Sequence, residues 1–244
     1  MQGKNSSSNY EKLKAIAEAE GASLFGVADV SSIKGEFLIE PKSVLKGLDR
    51  GISIGVRLAG RVVETVVDEP TKIYAFHYKR VNSLLDEIAL KISDSIQKSG
   101  YSALPVPASL IEDWGLQRGT LSHKDVGRLA GHGFIGRSGL LVNPEFGAAV
   151  RYATILTDMP LTAGKPAETG CGACVECITA CPAKAIKKDS KDLDLKACRD
   201  LLKTFANKAG IGHSICGICV KACKGITPAR GQIIGGCDGS RKAA

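Results

Sequence analysis

The chain has 244 residues, of which 44% are hydrophobic and 24% are charged, a balance typical of globular proteins and not of disordered ones. No uninterrupted apolar run approaches the roughly 18 residues that a membrane-spanning helix needs, and the start lacks the pattern of a signal peptide. We therefore expect a cytoplasmic protein without a membrane span. The formal net charge of +8 comes from dispersed lysines and arginines. Because they form no dense basic segment with interleaved aromatic residues, nucleic-acid binding is disfavoured.

Helical and strand patterns alternate in the first 165 residues. Apolar residues recur at helical spacing in "YEKLKAIAEAEG" and in "VNSLLDEIALKISDSIQKSG". Short apolar or alternating runs predict strands in "SLFGVA", "GISIGVRL", "GLLV" and "VRYATILT". The proline-rich "LPVPAS" and the segment "LTAGKPAETG" are typical of loops. The mixture predicts an α+β fold, with a first domain over residues 1–165 and a second over residues 166–244.

Three glycines in "AGHGFIGRSG", Gly131, Gly133 and Gly136, have the spacing of loops that bind dinucleotide pyrophosphates. Such a loop follows a strand and begins a helix. Here a helical pattern with Ser122 as N-cap precedes Gly131, and strand-like residues follow Gly136. This reversed order argues against a nicotinamide or flavin dinucleotide and favours Gly131 as the end of a helix.

All nine cysteines lie after residue 170, which is typical of metal ligation and not of a secreted disulfide framework. The stretch "CGACVECITACP" has the C-x2-C-x2-C-x3-C-P pattern by which bacterial ferredoxins bind 4Fe-4S clusters. In two-cluster ferredoxins the cysteine before proline binds the other cluster, so a second group is required. "CGICVKAC" and a cysteine in the helical pattern "LKACRDLLKTF" supply it. We predict that cluster one is bound by Cys171, Cys174, Cys177 and Cys223, and cluster two by Cys181, Cys198, Cys216 and Cys219.

Zinc is the alternative metal. It favours two C-x2-C pairs with a longer spacer, and a triple run is hard to place around one tetrahedral ion. The second half is also less regular than a ferredoxin repeat, since Cys198 lies 18 positions before Cys216 and Lys224 stands where proline is usual. This irregularity affects the pairing of the cysteines more than the identity of the cofactor. Cys237 is left over and is interpreted as a free thiol.

Several segments in a fixed order resemble one family. "SHKDVGRLAGHGFIGRSGLLVNPEFG", "ILTDMPL" and "CGACVECITACPAKAI" resemble the epoxyqueuosine reductases and, more distantly, the reductive dehalogenases. The resemblance implies a nitroreductase-like α/β domain that holds cobalamin, followed by a ferredoxin-like domain with two clusters. It also implies an electron donor such as a ferredoxin or flavodoxin. The candidate cofactor-binding residues are Ser122, His123, Lys124, Gly131, Gly133, Gly136 and Arg137.

The chain departs from the family at functional positions. Epoxyqueuosine reductases carry a Val-Asp-Ser/Thr-Gly-Pro stretch whose aspartate is taken as the proton donor, and Gln117 stands at that position. An amide cannot donate and recover a proton as a carboxyl does. Phe134 and Arg137 replace the usual tryptophan and lysine, and we expect no helical-repeat extension for tRNA. Epoxyqueuosine reduction itself is therefore disfavoured; Tyr101 and Tyr152 are alternative proton donors, although tyrosines at strand ends usually pack.

Two functions remain open. In the first, single electrons pass through the clusters to a cobalamin that reduces an unidentified substrate. In the second, the chain is an electron carrier that serves a partner enzyme and has no cobalamin of its own. The replacement by Gln117 favours the carrier, and the glycine segment favours the reductase. The sequence assigns no catalytic residue to either.

Overall fold

Contacts divide the chain into two compact units. Unit 1 consists of residues 1–57, 79–133 and 151–167, and unit 2 of residues 58–78, 134–150 and 168–244. The structure is a computed structural model that describes residues 2–113, 115, 118–167, 169–208 and 210–226. Two positions that the sequence singles out, Gln117 and Cys237, lie outside the described residues.

The described residues form a mixed α/β structure, as the sequence predicts at this level. The helices are α1 (Gln2–Ala19), α2 (Gly60–Glu64), α3 (Lys72–Lys98), α4 (His123–Leu129), α5 (Glu176–Ala180), α6 (Leu195–Ala206) and α7 (Ile218–Ala222). The strands are β1 (Leu24–Asp29), β2 (Arg50–Arg57), β3 (Ala103–Val106), β4 (Ile111–Asp113), β5 (Arg118–Gly119), β6 (Phe134–Ile135), β7 (Leu141–Val142) and β8 (Val150–Thr157). Within these residues, no helix is both long enough and apolar enough to cross a membrane.

A four-stranded sheet with the order β1-β2-β8-β3 organises unit 1. β1 runs antiparallel to β2 with Leu24 opposite Gly55, and β3 runs antiparallel to β8 with Ala103 opposite Thr157. The central strands β2 and β8 are buried along almost their whole length, which matches their continuous apolar runs. Helix α3 contributes to the core of this unit at helical spacing through Leu85, Ile88, Ile92 and Ile96, all fully buried or nearly so.

Two predicted element boundaries are wrong. The segment "LPVPAS" is not only a loop, because residues 104–106 belong to β3. β3 lies at the edge of the sheet, where a proline such as Pro105 removes no hydrogen bond to a further strand. Helix α1 begins at Gln2 instead of near Tyr10. Its polar first turns are held by Ser6 Oγ at 2.9 Å from Thr162 Oγ1 and by Asn9 Nδ2, which donates to the carbonyl of Pro160 at 3.1 Å.

Unit 2 contains little sheet. The hairpin of β6 and β7 pairs Phe134 with Val142, and the rest consists of short helices and turns. Helix α7 packs against both α5 and α2. The amino group of Lys221 donates to the carbonyl of Val66 at 2.6 Å, so the cysteine-rich segment is fastened to residues 58–78.

The predicted boundary between residues 165 and 166 stays a prediction. The units that the contacts define follow a different division, because residues 58–78 and 134–150 pack with the cysteine segment. Unit 2 is therefore assembled from three separate stretches of chain.

Substitution of Gly164 tests the packing of unit 1. A Cβ atom at this residue would lie 2.6 Å from the carbonyl oxygen of Ala130 and 3.1 Å from its carbon, both backbone atoms that cannot rotate away. We expect Gly164→Ala to lower the free energy of unfolding by about 1–3 kcal/mol. Gly35→Ala is the matched control, since nothing lies within 4 Å of its Cβ position, and it should change stability by less than about 0.5 kcal/mol. Equal effects of the two substitutions in urea unfolding would contradict this packing.

Candidate functional site

A repeated local structure positions six of the eight described cysteines. In each copy a short helix, α5 or α7, carries a cysteine as its second residue and ends at a cysteine that serves as C-cap. A further cysteine lies three residues before the helical one. The C-caps Cys181 and Cys223 have similar backbone angles, with φ and ψ of −71° and 111° in one and −86° and 106° in the other. The corresponding pairs are Cys174 and Cys216, Cys177 and Cys219, and Cys181 and Cys223.

The first predicted ligand set is a group of electrostatic neighbours. Burial raises the pKa of Cys177 to about 11, and the negative charges of Cys223, Cys171 and Cys174 raise it further. The pKa of Cys223 is likewise raised by burial, with contributions from Cys171 and Cys174, and is lowered by hydrogen bonds from nearby backbone groups. Cys223 is 46 positions beyond Cys177 in the chain, so the fold brings this cysteine back to the first loop.

The second predicted set is grouped in the same way. Burial raises the pKa of Cys219 to about 12, and the neighbouring charges of Cys216, Cys198, Cys177 and Cys181 add to the increase, in decreasing order. The pKa of Cys198 is raised by burial and then by Cys181, the C-cap of α5. One point of contact between the sets is that Cys177 also acts on Cys219. The C-cap cysteine of each short helix thus lies near the cysteines of the other group.

All eight described cysteines are free thiols. The described residues contain no group of three or more His, Cys, Asp or Glu side chains arranged around a single metal ion. In a 4Fe-4S cluster each cysteine binds a different iron, so its four thiolates stand farther apart than the ligands of one zinc ion.

A turn between β7 and β8 fixes the position of Cys223. Gly147 has a φ of +61°, and a Cβ atom there would lie 2.0 Å from the carbonyl oxygen of Cys223. The turn is closed by hydrogen bonds in both directions between Asn143 and Gly147, at 2.8 and 2.9 Å. The sequence analysis missed Gly147 as a functional position, although the residue ends the segment "NPEFG" on which the family resemblance depends.

Arg137 lies against the first cysteine loop. Its guanidinium donates three hydrogen bonds to backbone carbonyls, from Nε to Lys188 at 2.8 Å, from Nη1 to Cys174 at 2.5 Å and from Nη2 to Gly172 at 2.8 Å. The sequence analysis placed Arg137 in a cobalamin pocket. In the structure its polar contacts are with the cysteine loop.

Arg137 borders an open cleft of about 380 Å³ in unit 2, and Gly136 precedes it in the chain. A Cβ atom on Gly136 would lie 3.4 Å from the sulfur of Cys171 and 2.7 Å from Val142 Cγ2, so this glycine permits close approach of the hairpin to the loop. The cleft is lined by Ile135, Arg137, Cys171, Lys188, Asp189 and Ser190.

The remaining candidate cofactor-binding residues lie in unit 1. Ser122 is the N-cap of α4 and accepts a hydrogen bond from the backbone N–H of Asp125 at 3.3 Å, as predicted. His123 Nδ1 lies 2.8 Å from Thr154 Oγ1, and its Nε2 lies 2.9 Å from the carbonyl oxygen of Pro107. Both ring nitrogens are thus engaged within the unit. Lys124 is exposed.

The glycine segment begins as predicted, at the end of a helix. Gly131, with a φ of +88°, follows the last residues of α4, and its N–H donates to the carbonyl of Arg128 at 3.1 Å. A Cβ atom on Gly131 would lie 3.0 Å from the carbonyl oxygen of Lys165. The order of elements is not that of a Rossmann loop, because helix α4 precedes Gly131 and strand β6 separates Gly133 from Gly136.

Tyr152, a candidate proton donor, is packed inside unit 1. Its ring stacks on His132 with centroids 5.7 Å apart, and its hydroxyl is buried without a hydrogen-bond partner among the described residues. Burial raises the pKa of Tyr152 above its ordinary value of 10.0, which makes the hydroxyl a weaker acid. This environment fits the packing interpretation better than proton donation.

The environment of His123 predicts a neutral imidazole. Burial lowers its pKa from 6.5 to about 4. Because the unfolded chain binds the proton more readily, the stabilising contribution is present above about pH 6.5 and is lost as the pH falls toward about 4. We expect the imidazole resonances to titrate below pH 5 by NMR, and His123→Gln to remove this part of the pH dependence of urea unfolding. Titration close to 6.5 would contradict the buried arrangement.

Comparison with known proteins gives two groups of relatives. No family model matches the chain. The chain is 35% identical over 170 residues to an epoxyqueuosine reductase of Lactococcus garvieae. The aligned region covers 66% of this chain and 44% of the relative. It is 32% identical over 160 residues to a tetrachloroethene reductive dehalogenase of Dehalobacter restrictus, which covers 63% of this chain and 27% of the relative.

A solved structure has a similar fold. It is a reductive dehalogenase studied for B12-dependent dehalogenation, with a TM-score of 0.65, 20% identity and coverage of 87% of this chain and 31% of that chain. The chain thus spans less than half the length of each of these three proteins. The sequence and structural relatives confirm the predicted resemblance: the chain is similar to epoxyqueuosine reductases and to reductive dehalogenases.

Proposed function

We propose that the chain is an iron–sulfur oxidoreductase in which eight cysteines hold two 4Fe-4S clusters. Single electrons, supplied by a carrier such as a ferredoxin or flavodoxin, would move through them to a cobalamin-type centre that reduces an unidentified substrate. The observation that carries the proposal is the repeated local structure of α5 and α7, each with a cysteine as its second residue and a cysteine as its C-cap. Electrostatic coupling of Cys177 with Cys223, and of Cys219 with Cys198, supports the predicted grouping of the thiols.

The thiols suit iron–sulfur clusters chemically. Cluster ligands are thiolates, and burial makes Cys177 and Cys219 hard to ionise without a compensating cation. Iron supplies that positive charge, so cluster binding and deprotonation of the thiols would occur together. Cys171, Cys174, Cys177 and Cys223 would hold cluster one, and Cys181, Cys198, Cys216 and Cys219 would hold cluster two.

The cobalamin part of the proposal is supported by homology. The reductive dehalogenase with a similar fold is described in connection with B12-dependent chemistry. When bound, cobalamin would supply a low-valent cobalt that reduces an organic substrate. Gly131 and Gly133, whose φ angles are +88° and +152°, would allow backbone to approach a large ring closely. Ser122 would mainly cap α4 and His123 would mainly connect α4 to β8 and Pro107, since their polar atoms are already engaged in these contacts.

The second candidate function is electron transfer to a partner enzyme without a cobalamin in this chain. The presence of Gln117 at the position of the family's aspartate favours it, because the chain then lacks the acid that would protonate a substrate. Both functions require the clusters. Only the first requires a corrinoid.

Gly147 provides a test of the cluster assignment. We expect the anaerobically reconstituted protein to contain close to eight irons and eight sulfides per chain. Gly147→Ala would displace the carbonyl of Cys223 and should lose about half of both, because only cluster one depends on Cys223. Gly212→Ala is the matched control, since Gly212 has the same φ of +61° with nothing within 4 Å of its Cβ position. Zinc without sulfide in the wild-type protein would refute the cluster proposal.

Anaerobic titration with cobalamin separates the two functions. If the reductase proposal holds, the cluster-loaded protein should shift the cobalamin absorption spectrum and saturate at one corrinoid per chain. NADH and FAD serve as control ligands and should leave the protein unchanged, because the glycine segment has the wrong order for a dinucleotide site. An unchanged cobalamin spectrum at saturating concentration would favour the electron carrier.

A further inference from the structure

Two of the three hydrogen bonds of Arg137 are to the first cysteine loop. Its two Nη atoms donate to the carbonyls of Gly172 and Cys174, which lie between the first and third cysteines of the run. Its Nε donates to the carbonyl of Lys188, beyond α5. A planar guanidinium with fixed donors holds several acceptors at once, which a lysine ammonium on a flexible stem does less well. The three bonds therefore fix the shape of the loop around its thiols.

These bonds also orient two peptide groups. In a trans peptide the N–H points away from the C=O, so a carbonyl held by Arg137 sends the following N–H to the opposite side. The peptides concerned carry the N–H groups of Ala173 and Val175, and neither donates to a backbone carbonyl among the described residues. Both are left available as donors to cluster or cysteine sulfur.

The charge of Arg137 reinforces this effect. The residue forms no ion pair with a carboxylate in the described part of the chain, and its donors are bonded to neutral carbonyls. A net positive charge therefore remains beside the loop. Uptake of an electron makes a cluster more negative, and hydrogen bonds to sulfur and nearby charge are two factors that set cluster potentials.

We propose that Arg137 is a positioning residue for cluster one, which holds the loop of residues 171–174 in its binding shape and raises the reduction potential of that cluster relative to cluster two. This inference rests on the proposed function, since it requires that both clusters are bound. In the structure, the counterpart of Cys171 in the second copy of the repeat is His213, and that site takes Cys198 from α6 instead. The three hydrogen bonds of Arg137, which we call the clamp, thus act on the first loop and not on the second.

The test uses the full reconstituted chain with two substitutions of Arg137 and one control. Arg137→Gln removes the positive charge and most of the hydrogen-bond donors. Arg137→Lys keeps the positive charge but loses the planar guanidinium that donates to three carbonyls at once. Lys188→Gln is the control, because it removes an exposed cation from the lining of the same cleft and leaves the backbone carbonyl of Lys188 in place. The midpoint potential of each cluster is measured by a redox titration followed by electron paramagnetic resonance. Iron release to a ferrous chelator is measured separately.

We expect Arg137→Gln to lower the midpoint of cluster one, leave that of cluster two unchanged and release iron roughly 10-fold faster. Arg137→Lys should keep the potential near that of the wild type but release iron faster, and Lys188→Gln should change neither. The signal missing in Gly147→Ala identifies cluster one. If Arg137→Gln fails to retain cluster one while Arg137→Lys retains it, the clamp is supported.

Wild-type potentials and release rates in Arg137→Gln would overturn the proposal. A drop in potential as large in Arg137→Lys as in Arg137→Gln would also overturn it, because the charge would then play no part. Absence of both clusters from the wild-type protein is a different result, which refutes the proposed function.

Discussion

The exchange of one cysteine between two short helices is the constraint on which unit 2 depends. Neither loop can complete a four-thiol group alone, because the C-caps Cys181 and Cys223 each lie with the other group. The helices α5 and α7 must therefore pack side by side, and they do. In the proposed function this packing is stabilised by metal binding, since a small domain with few buried apolar side chains gains most of its stability from its metals.

The repeated helices that carry the cysteines follow from local spacing in the sequence, because cysteines three residues apart belong to one loop and one short helix. The assignment of individual cysteines to the two clusters stays a prediction. The N-cap Ser122 and the glycine at the end of α4, Gly131, were also predicted correctly, because each depends only on residues a few positions away in the sequence. The strand at Pro105 was missed because its assignment depends on edge position, which is a property of the whole sheet.

The role of Arg137 could not be predicted in the same way. Its partners Gly172, Cys174 and Lys188 are 35 to 51 positions away, and all three accept through backbone carbonyls, which leave no trace in the sequence. Gly147 is a similar case, because its contact is with the carbonyl of Cys223. Side-chain identity indicates which chemistry a position can perform. Contacts with backbone groups far away in the sequence determine which part of the fold the side chain acts on, and these contacts cannot be read from the sequence.

The interleaving of the two units has a consequence for how the cysteine segment folds. Three stretches contribute to unit 2, and two of them precede the cysteines by tens of residues. Val66 accepts a hydrogen bond from Lys221 in α7, Arg137 holds the first loop, and Gly147 makes room for Cys223. A ferredoxin can fold from a short continuous chain. Here residues 168–226 by themselves would lack the contacts with residues 58–78 and 134–150 that shape their loops. The cysteine segment therefore depends for its shape on stretches of chain that alternate in sequence with the stretches of unit 1.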